Sequence, residues 1–371
     1  MSGYDEAVSY ANLLECAEKS VNGSRWKPSV QVFNLHLSTS VQKIHDKAIH
    51  EGYKPSRTNN FTICERGKVR RIKAHPIEDR AFYKSWVKYD LLPHVQSKIL
   101  ESNTASQKGK GTDQAIQHFK RELEKAVRKW GSNFYVITTD YHDYFGSLPH
   151  DKILEMLRFE DPRSQKVLED YLKLFPGGKG IGIGGEPSQV TAIVYTSIVD
   201  RTILCNSPAT ASGRYMDDSW AICHTKEEAN QVLDTFIKKS KEFGLQMNEK
   251  RTQIYHMTTD TVIWLKKRTH IDKKTKKVIM QLTRKNVRDC IRRIHFYKKQ
   301  TDKKLMPKRI AFESIQCWAV YAKRYNANKQ LARVLNEFGN VFDVKWEIMR
   351  KLRNKKTDGW INECKAAGYF D

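Results

Sequence analysis

The chain of 371 residues is 39% hydrophobic and 11% aromatic, which excludes a disordered protein and allows two or three subdomains around a sizeable core. It has no run of about eighteen apolar residues and its acidic N-terminus lacks an apolar segment, so we expect neither a membrane span nor a secretory signal. The 66 Lys and Arg residues exceed the 42 Asp and Glu residues by a net charge of +24, which favours a polyanion partner such as nucleic acid over an ordinary solvated surface.

The first elements with a clear pattern lie in the middle of the chain. Residues 134–140, FYVITTD, are apolar and β-branched and predict a buried strand that ends in Asp140. Residues 180–189, GIGIGGEPSQ, form a glycine-rich stretch that enters a helix, and such a backbone can approach a nucleotide closely. Residues 190–204 mix helical spacing with β-branched side chains, and we predict a helix there.

A doubly acidic segment follows. Residues 214–223, RYMDDSWAIC, have the pattern of a β-hairpin with a two-residue turn, which places Asp217 and Asp218 at the tip. Adjacent aspartates are also common in ordinary polar turns, so the segment has to be interpreted together with its neighbours.

The next element is a helix over residues 225–244. Thr225 and Glu228 match a capping box at its start, and Gly244 stands where a glycine commonly follows a helix end. The order strand, helix, hairpin, helix predicts an α+β fold with the acidic turn at the edge of a sheet.

The C-terminal third is basic. Residues 271–280 predict a hairpin, and residues 286–300, 309–326 and 329–338 predict helices with basic faces. Residues 261–371 hold 29 basic and 10 acidic side chains, so most of the net charge lies in this region. This concentration strengthens the expectation of a nucleic-acid partner.

Three carboxylates suggest a metal centre. Asp140 ends the predicted buried strand, and Asp217 and Asp218 lie at the hairpin tip. Phosphoryl transfer to a growing chain uses two divalent cations about 3.5–4 Å apart. Magnesium prefers oxygen ligands, and carboxylates on adjacent rigid strand ends can supply them. We therefore predict that these three residues bind two Mg²⁺ ions.

Six segments in this order resemble the reverse transcriptase family. They are residues 66–93 (RGKVRRIKAHPIEDRAFYKSWVKYDLLP), 102–116 (SNTASQKGKGTDQAI), 140–150 (DYHDYFGSLPH), 184–189 (GGEPSQ), 215–218 (YMDD) and 247–252 (MNEKRT). The resemblance covers about residues 30–265, and the basic tail is similar to a polymerase thumb. It implies an RNA-directed DNA polymerase.

The resemblance also implies the fold of a right-hand polymerase, in the α+β class, with an antiparallel sheet in the palm. The fingers would begin with residues 1–90, and the palm would comprise residues 91–264 with a fingers insertion at about 151–183. Residues 265–371 would form a basic, mainly helical thumb.

Site residues follow from the same resemblance. It implies that Asp140, Asp217 and Asp218 are catalytic metal ligands and that Phe145 excludes a ribose 2′-hydroxyl. The residues implied to bind the nucleotide are Arg70, Lys73, Tyr141, Phe145, Ile183, Gly184, Ser188, Gln189, Lys250 and Arg251. The residues implied to contact primer or template are Tyr215, Met216, Lys266, Lys267 and Arg268. A solvated surface is the alternative for the basic residues, and Asp143 is expected to be a surface or capping residue.

Three departures from the family pattern narrow the subtype. Ile183 precedes Gly184 where retroviral enzymes have glutamine, and Gln189 follows Ser188 where they have proline. This pattern is similar to the enzymes of diversity-generating retroelements and to bacterial relatives, some of which act in antiviral (antiphage) defence. Arg251 stands where the family usually has lysine, and an arginine does not readily give up a proton.

The expected function is RNA-templated DNA synthesis in a bacterial or phage retroelement or defence system. The expected partners are an RNA template, a cognate non-coding RNA in particular, together with the DNA product, deoxynucleoside triphosphates, and either a basic accessory protein or a second copy of the chain. Two alternatives are template-independent or protein-primed DNA synthesis, and a nucleic-acid-binding scaffold with an inactive site. The seven cysteines are scattered, odd in number and never arranged as CxxC, which predicts a reducing, cytoplasmic location.

Overall fold

The computed structural model describes residues 2–50, 52–65, 68–354 and 359–370. The chain forms two compact units. The first unit comprises residues 1–121 and 137–254, and the second comprises residues 122–136 and 255–371. Residues 66 and 67, at the start of the first reverse-transcriptase-like segment, lie outside the described residues.

The N-terminal part of the first unit is mainly helical. Its elements are α1 (Gly3–Val8), α2 (Tyr10–Ser20), α3 (Pro28–Leu35), α4 (Leu37–His50), the strands β1 (Asn59–Glu65) and β2 (Lys68–Ala74), α5 (Ile77–Trp86), a π-helical turn (Val87–Leu91), α6 (Leu92–Val95) and a 3₁₀ turn (Gln96–Lys98). The next helix, α7 (Thr112–Trp130), begins in the first unit, and its residues from 122 onwards belong to the second. The strands β1 and β2 form a separate antiparallel hairpin. Phe82 and Trp86 are fully buried in the core that the helices enclose.

A four-stranded sheet positions the acidic residues. Its strands are β3 (Tyr135–Thr139), β4 (Ala211–Tyr215), β5 (Asp218–Cys223) and β6 (Gln253–His256), in the order β4-β5-β3-β6. The predicted strand before Asp140 is confirmed as β3, and the predicted hairpin is confirmed as the antiparallel pair β4–β5. The apolar residues of β3 are buried, as a central strand requires.

Helices connect these strands. They are α8 (Tyr144–Ser147), α9 (His150–Met156), α10 (Pro162–Lys173), α11 (Glu186–Tyr195), α12 (Ser197–Asn206) and α13 (Lys226–Glu242). The helix predicted over residues 190–204 is confirmed, but it is divided at Thr196 into α11 and α12. In α13 the predicted capping box of Thr225 and Glu228 is present. Gly244 has φ +69°, and its N–H donates to the carbonyl of Lys241, so it ends the helix as predicted.

The second unit has its own sheet and its own core. Its antiparallel sheet contains β7 (Val262–Trp264), β8 (Lys267–Ile271) and β9 (Val278–Leu282), and its helices are α14 (Arg284–Asp302), α15 (Lys308–Lys323), α16 (Asn328–Phe342), α17 (Trp346–Arg353) and α18 (Trp360–Ala366). The predicted basic hairpin is confirmed as β8–β9, although β8 begins earlier than predicted. Phe312, Phe338 and Trp360 pack together in the core.

The predicted α+β fold class is confirmed, because helices and antiparallel strands occur in both units. Within the described part of the chain, no helix combines the length and the apolar character that crossing a bilayer would need.

Candidate active site

The three predicted metal ligands converge at one end of the four-stranded sheet. Asp140 directly follows β3, and Asp218 begins the neighbouring strand β5. One carboxylate oxygen from each of Asp140, Asp217 and Asp218 lies within 4.8 Å of the other two. The hydroxyls of Thr139 and Ser219 are hydrogen-bonded to each other between these strands and connect them next to the acids. The site therefore rests on two adjacent strands.

The position of the hairpin turn corrects the sequence-based prediction by one residue. Tyr215 pairs with Asp218, so the turn residues are Met216 and Asp217, and Asp218 is part of the ladder. Met216 has φ +56°, which costs a residue with a side chain about 1–2 kcal/mol. The turn therefore holds a strained backbone beside the acidic cluster.

The two oxygens of the Asp140 carboxylate differ in their hydrogen bonding. Its side chain is buried, and Oδ2 accepts hydrogen bonds from Asn248 Nδ2 at 3.0 Å and from Arg251 Nη1 at 3.3 Å. The backbone N–H of Asn248 also donates to the Asp140 carbonyl at 2.8 Å. Oδ1 is buried and has no hydrogen-bond partner. A buried oxygen without a partner is costly, and a cation would satisfy it, so the donor set fits a metal ion.

Without a bound cation, the surroundings of Asp217 and Asp218 disfavour the ionised form of each carboxyl group. Burial and the charge of Asp140 raise the pKa of Asp217. Burial and the charges of Asp217 and Asp140 raise the pKa of Asp218 to about 7. A divalent cation between these groups would offset both the desolvation and the mutual repulsion.

The glycine-rich segment lies against β2 and Phe145. The backbone N–H of Lys73 donates to the carbonyl of Ile183 at 3.2 Å, and Ile181 N–H donates to the carbonyl of Phe145 at 2.9 Å. Gly184 has φ +129°, and a Cβ there would lie 3.0 Å from the carbonyl oxygen of Lys73, so the close approach requires glycine. This contact brings the predicted nucleotide-binding residues of two segments together.

The side chains of Arg70, Gln189, Lys250 and Arg251 are exposed, as a nucleotide contact requires. Ile183 and Phe145 are half-buried.

The predicted nucleotide contacts of Tyr141 and Ser188 need correction, whereas Lys73 is half-exposed and its predicted contact stays a prediction. Tyr141 is buried, and its hydroxyl is hydrogen-bonded to Ser240 Oγ at 3.0 Å. Ser188 is fully buried and is hydrogen-bonded to the Tyr171 hydroxyl at 2.6 Å. The ammonium of Lys73 donates to the carbonyl of Leu174 at 2.8 Å and lies above the ring of Phe175. The side chains of Tyr141 and Ser188 therefore stabilise the protein core and do not face a nucleotide.

The sequence model of the family described as reverse transcriptase (RNA-dependent DNA polymerase) matches residues 54–298. The chain belongs to the reverse transcriptase family. The resemblance seen in the six sequence segments is thereby confirmed at the level of the family.

The solved structures that match this reverse transcriptase include two telomerases. Apo telomerase from Candida tropicalis, truncated from its C-terminal domain, is 15% identical with a TM-score of 0.45, and the match covers 67% of this chain and 60% of that chain. Telomerase from Candida albicans in complex with the TWJ fragment of telomeric RNA is 11% identical with a TM-score of 0.47, and the match covers 89% of this chain and 67% of that chain. The reverse transcriptase thus spans 60% of the first telomerase chain. No curated protein matches the sequence.

The predicted primer and template contacts of the reverse transcriptase lie in both units. In the first unit, Tyr215 and Met216 are half-buried, and the Tyr215 hydroxyl accepts a hydrogen bond from Thr112 Oγ1 at 3.2 Å. In the second unit, Lys266 is exposed in the β7–β8 turn and Arg268 is half-exposed.

Lys267 corrects the prediction for the second unit. Its side chain is 1% exposed, and its ammonium lies 4.3 Å and 4.5 Å from the ring centroids of Tyr321 and Tyr325. The alternation of β8 turns Lys267 inwards, so it does not face a nucleic-acid backbone.

Sequence reasoning gave no role to some residues of the reverse transcriptase site. Asn248 contacts Asp140 through its side chain and its backbone, and its place in the segment MNEKRT was the available signal. Arg214 and Asp200 form a buried ion pair behind the acidic hairpin. An arginine within a predicted strand, immediately before Tyr215, was the available signal for this pair.

Proposed function

We propose that this reverse transcriptase is an RNA-directed DNA polymerase that extends a primer with deoxynucleotides. The observation that supports the proposal most is the convergence of Asp140, Asp217 and Asp218 around a buried oxygen without a partner. Three mutually repelling carboxylates have no structural use here unless a cation joins them.

These three aspartates would hold two Mg²⁺ ions. The chemistry that such ions supply when bound is activation of the primer 3′-hydroxyl and neutralisation of charge on the triphosphate. Asn248 fixes the orientation of the Asp140 carboxylate through its hydrogen bond to Oδ2.

The chain's own groups would bind the nucleotide. Phe145 would exclude a 2′-hydroxyl by occupying space beside the sugar, and Arg70, Lys250 and Arg251 would contact the triphosphate, since arginine suits bidentate phosphate binding. Arg251 keeps its proton, so if a general acid acts at this position, Lys250 is the better candidate. Gly184 would let the backbone approach the base pair closely, with Ile183 and Gln189 beside it.

The finer assignments belong to the same proposal. Residues 1–90 would form part of the fingers, residues 91–264 the palm with a fingers insertion at about 151–183, and residues 265–371 the thumb. Tyr215 and Met216 would support the primer terminus, and Lys266 and Arg268 would contact the duplex backbone, with the strong salt dependence that phosphate contacts give.

The subtype and the setting are also part of the proposal. The pattern at Ile183 and Gln189 supports a bacterial or phage enzyme of the retroelement or antiphage-defence type, with a cognate non-coding RNA as template and a basic accessory protein or second copy as a further partner. The seven free cysteines support a cytoplasmic location. Sequencing of the nucleic acid that copurifies with the protein would test the subtype, since bulk cellular RNA without an enriched species would contradict a cognate template.

Primer extension on an RNA template tests the activity. The wild-type chain with Mg²⁺ should extend a DNA primer in the order that the template specifies, and Asp140→Asn should reduce the rate about 10³-fold, because several kcal/mol of charge stabilisation are lost. Asp143→Asn is the matched control, since Asp143 is exposed, has φ +44° and lies three residues away, and asparagine tolerates that conformation.

Each other outcome would replace the proposal. Extension that ignores the template but still needs Asp140 would identify a template-independent or protein-primed polymerase. Tight RNA binding without extension under any primer condition would identify an inactive scaffold.

A further inference from the structure

A buried ion pair lies behind the acidic turn. Arg214 is the penultimate residue of β4, and its partner Asp200 lies in α12. The two residues are only 1% and 5% exposed, respectively. Arg214 Nε donates to both carboxylate oxygens of Asp200, at 2.8 Å and 2.9 Å. The guanidinium is thus fixed against α12 in one orientation.

The same guanidinium reaches the turn. Arg214 Nη1 donates to the carbonyl oxygen of Met216 at 3.4 Å. The central guanidinium carbon, Cζ, lies 5.4 Å from the ring centroid of Tyr141. The backbone of Arg214 is also hydrogen-bonded. Its N–H donates to the carbonyl oxygen of Ser102, and its own carbonyl accepts from the N–H of Thr104, both at 3.1 Å. One arginine therefore connects α12, the end of β4 and the residue with the strained backbone.

Folding stability does not explain this arrangement well. A buried ion pair pays a desolvation cost that often cancels its Coulomb attraction, and apolar residues of similar volume can replace such a pair without loss. The planar fork of arginine, by contrast, directs several donors at fixed angles, which a lysine cannot do. The consequence of the pair is therefore geometric.

We propose that Arg214 and Asp200 are positioning residues that hold the Met216–Asp217 turn in the conformation that brings Asp217 and Asp218 to Asp140. Without the donor from Arg214, the turn can relax from the positive φ of Met216, and the two acidic side chains then spread over several orientations. The metal site would lose affinity and precision and the primer support at Met216 would shift, while the nucleotide-binding residues outside the turn would stay unchanged. The effect on synthesis rests on the proposed function, whereas the effect on metal binding does not.

The test is the double variant Arg214→Met/Asp200→Leu, which removes both charges and leaves neither of them unpaired in the core. Mn²⁺ binding to the full chain, counted by electron paramagnetic resonance without nucleic acid or nucleotide, should weaken by about tenfold or more, as changes to residues that orient metal ligands typically do. In primer extension, kcat should fall by about 10²-fold and the Mg²⁺ requirement should rise, while KM for the nucleotide stays within threefold.

Two further variants keep the result interpretable. Arg163→Met removes the arginine of an exposed pair with Asp5 and Asp161 and should leave Mn²⁺ binding unchanged. Arg214→Lys keeps the positive charge but not the fork, so it should also weaken Mn²⁺ binding, and it replaces the double variant if that protein does not fold.

The outcomes separate the two proposals. Wild-type Mn²⁺ affinity and wild-type kcat in a folded double variant, or in Arg214→Lys, would overturn the positioning role. Mn²⁺ binding by the wild type that depends on Arg214, without RNA-templated synthesis, would support the positioning role and overturn the proposed function. A wild type that binds no Mn²⁺ would overturn both.

Discussion

Two hairpin turns, one in each unit, solve a similar problem in different ways. The turn of Met216 and Asp217 and the turn of Leu265 and Lys266 each contain two residues and no glycine, although φ is positive at Met216 (56°), Leu265 (43°) and Lys266 (62°). Each turn has a buried cationic side chain in an adjoining strand. Arg214 lies in β4, before the first turn, and Lys267 begins β8, directly after the second turn.

The surroundings of the two cations differ. Arg214 is compensated by the carboxylate of Asp200, whereas the ammonium of Lys267 lies over the rings of Tyr321 and Tyr325. The first turn presents acids, and the second presents the exposed Lys266 in a region with 29 basic and 10 acidic residues. Ring faces stabilise a lysine without adding negative charge beside a surface that is positively charged. The comparison shows that a buried cation beside a turn can be stabilised in two ways, neither of which reverses the charge that the turn presents.

The largest expected difference concerns the two cations themselves. Arg214→Met alone leaves the Asp200 carboxylate buried beside a methyl group and should reduce the free energy of unfolding by about 3–5 kcal/mol. Lys267→Met keeps the apolar stem and loses contacts with two ring faces, which should cost about 1–2 kcal/mol. Denaturant unfolding of both variants measures the difference, and an equal or larger loss for Lys267→Met would contradict it.

The charge of the first turn should be visible in the pH dependence of stability. The pKa of Asp218 is raised from an unfolded value of about 3.9 to about 7, so the folded state is disfavoured progressively as the pH rises between these two values. Asp218→Asn removes this penalty. In EDTA, the gain in Tm of the variant over the wild type should therefore be larger at pH 8 than at pH 5.

Asp234→Asn, an exposed substitution on α13, is the control for this measurement and should give no such pH dependence. An equal gain at both pH values for Asp218→Asn would show that the repulsion in the acidic cluster is not the cause.

The smallest expected effect concerns backbone strain in the second turn. Lys266 is exposed and has φ +62°, so Lys266→Gly should raise the free energy of unfolding by up to about 1 kcal/mol. Lys273→Gly, at an exposed position whose φ is not positive, should give no gain and serves as the control. A loss of stability in Lys266→Gly would mean that its side chain contributes more than the strained backbone costs.

Local patterns were sufficient for much of the fold and for the acidic cluster. The strand that ends at Asp140, the β4–β5 hairpin and the capped helix α13 follow from periodicity and from cap residues, which act over a few residues of chain. The order of these elements was enough to bring the three aspartates to adjacent strand ends.

Other features depend on tertiary contacts that a local pattern does not contain. The turn begins one residue earlier than predicted, at Met216, whose carbonyl accepts a hydrogen bond from the Arg214 guanidinium that Asp200 of α12 holds in place. The inward direction of Tyr141, Ser188 and Lys267 depends on which face of each element meets the core. Family resemblance assigns a role to a position, but the packing around that position decides whether its side chain reaches the substrate.

The uneven environment of the Asp140 carboxylate has a consequence for the choice of ion. Asn248 and Arg251 already occupy Oδ2, which leaves Oδ1 as the oxygen available to a ligand field. A small octahedral cation is satisfied by single oxygens at short range, whereas a larger cation often gathers both oxygens of a carboxylate to complete a coordination number of 6–8. If the site holds a cation as proposed, coordination through this single oxygen suits magnesium better than calcium.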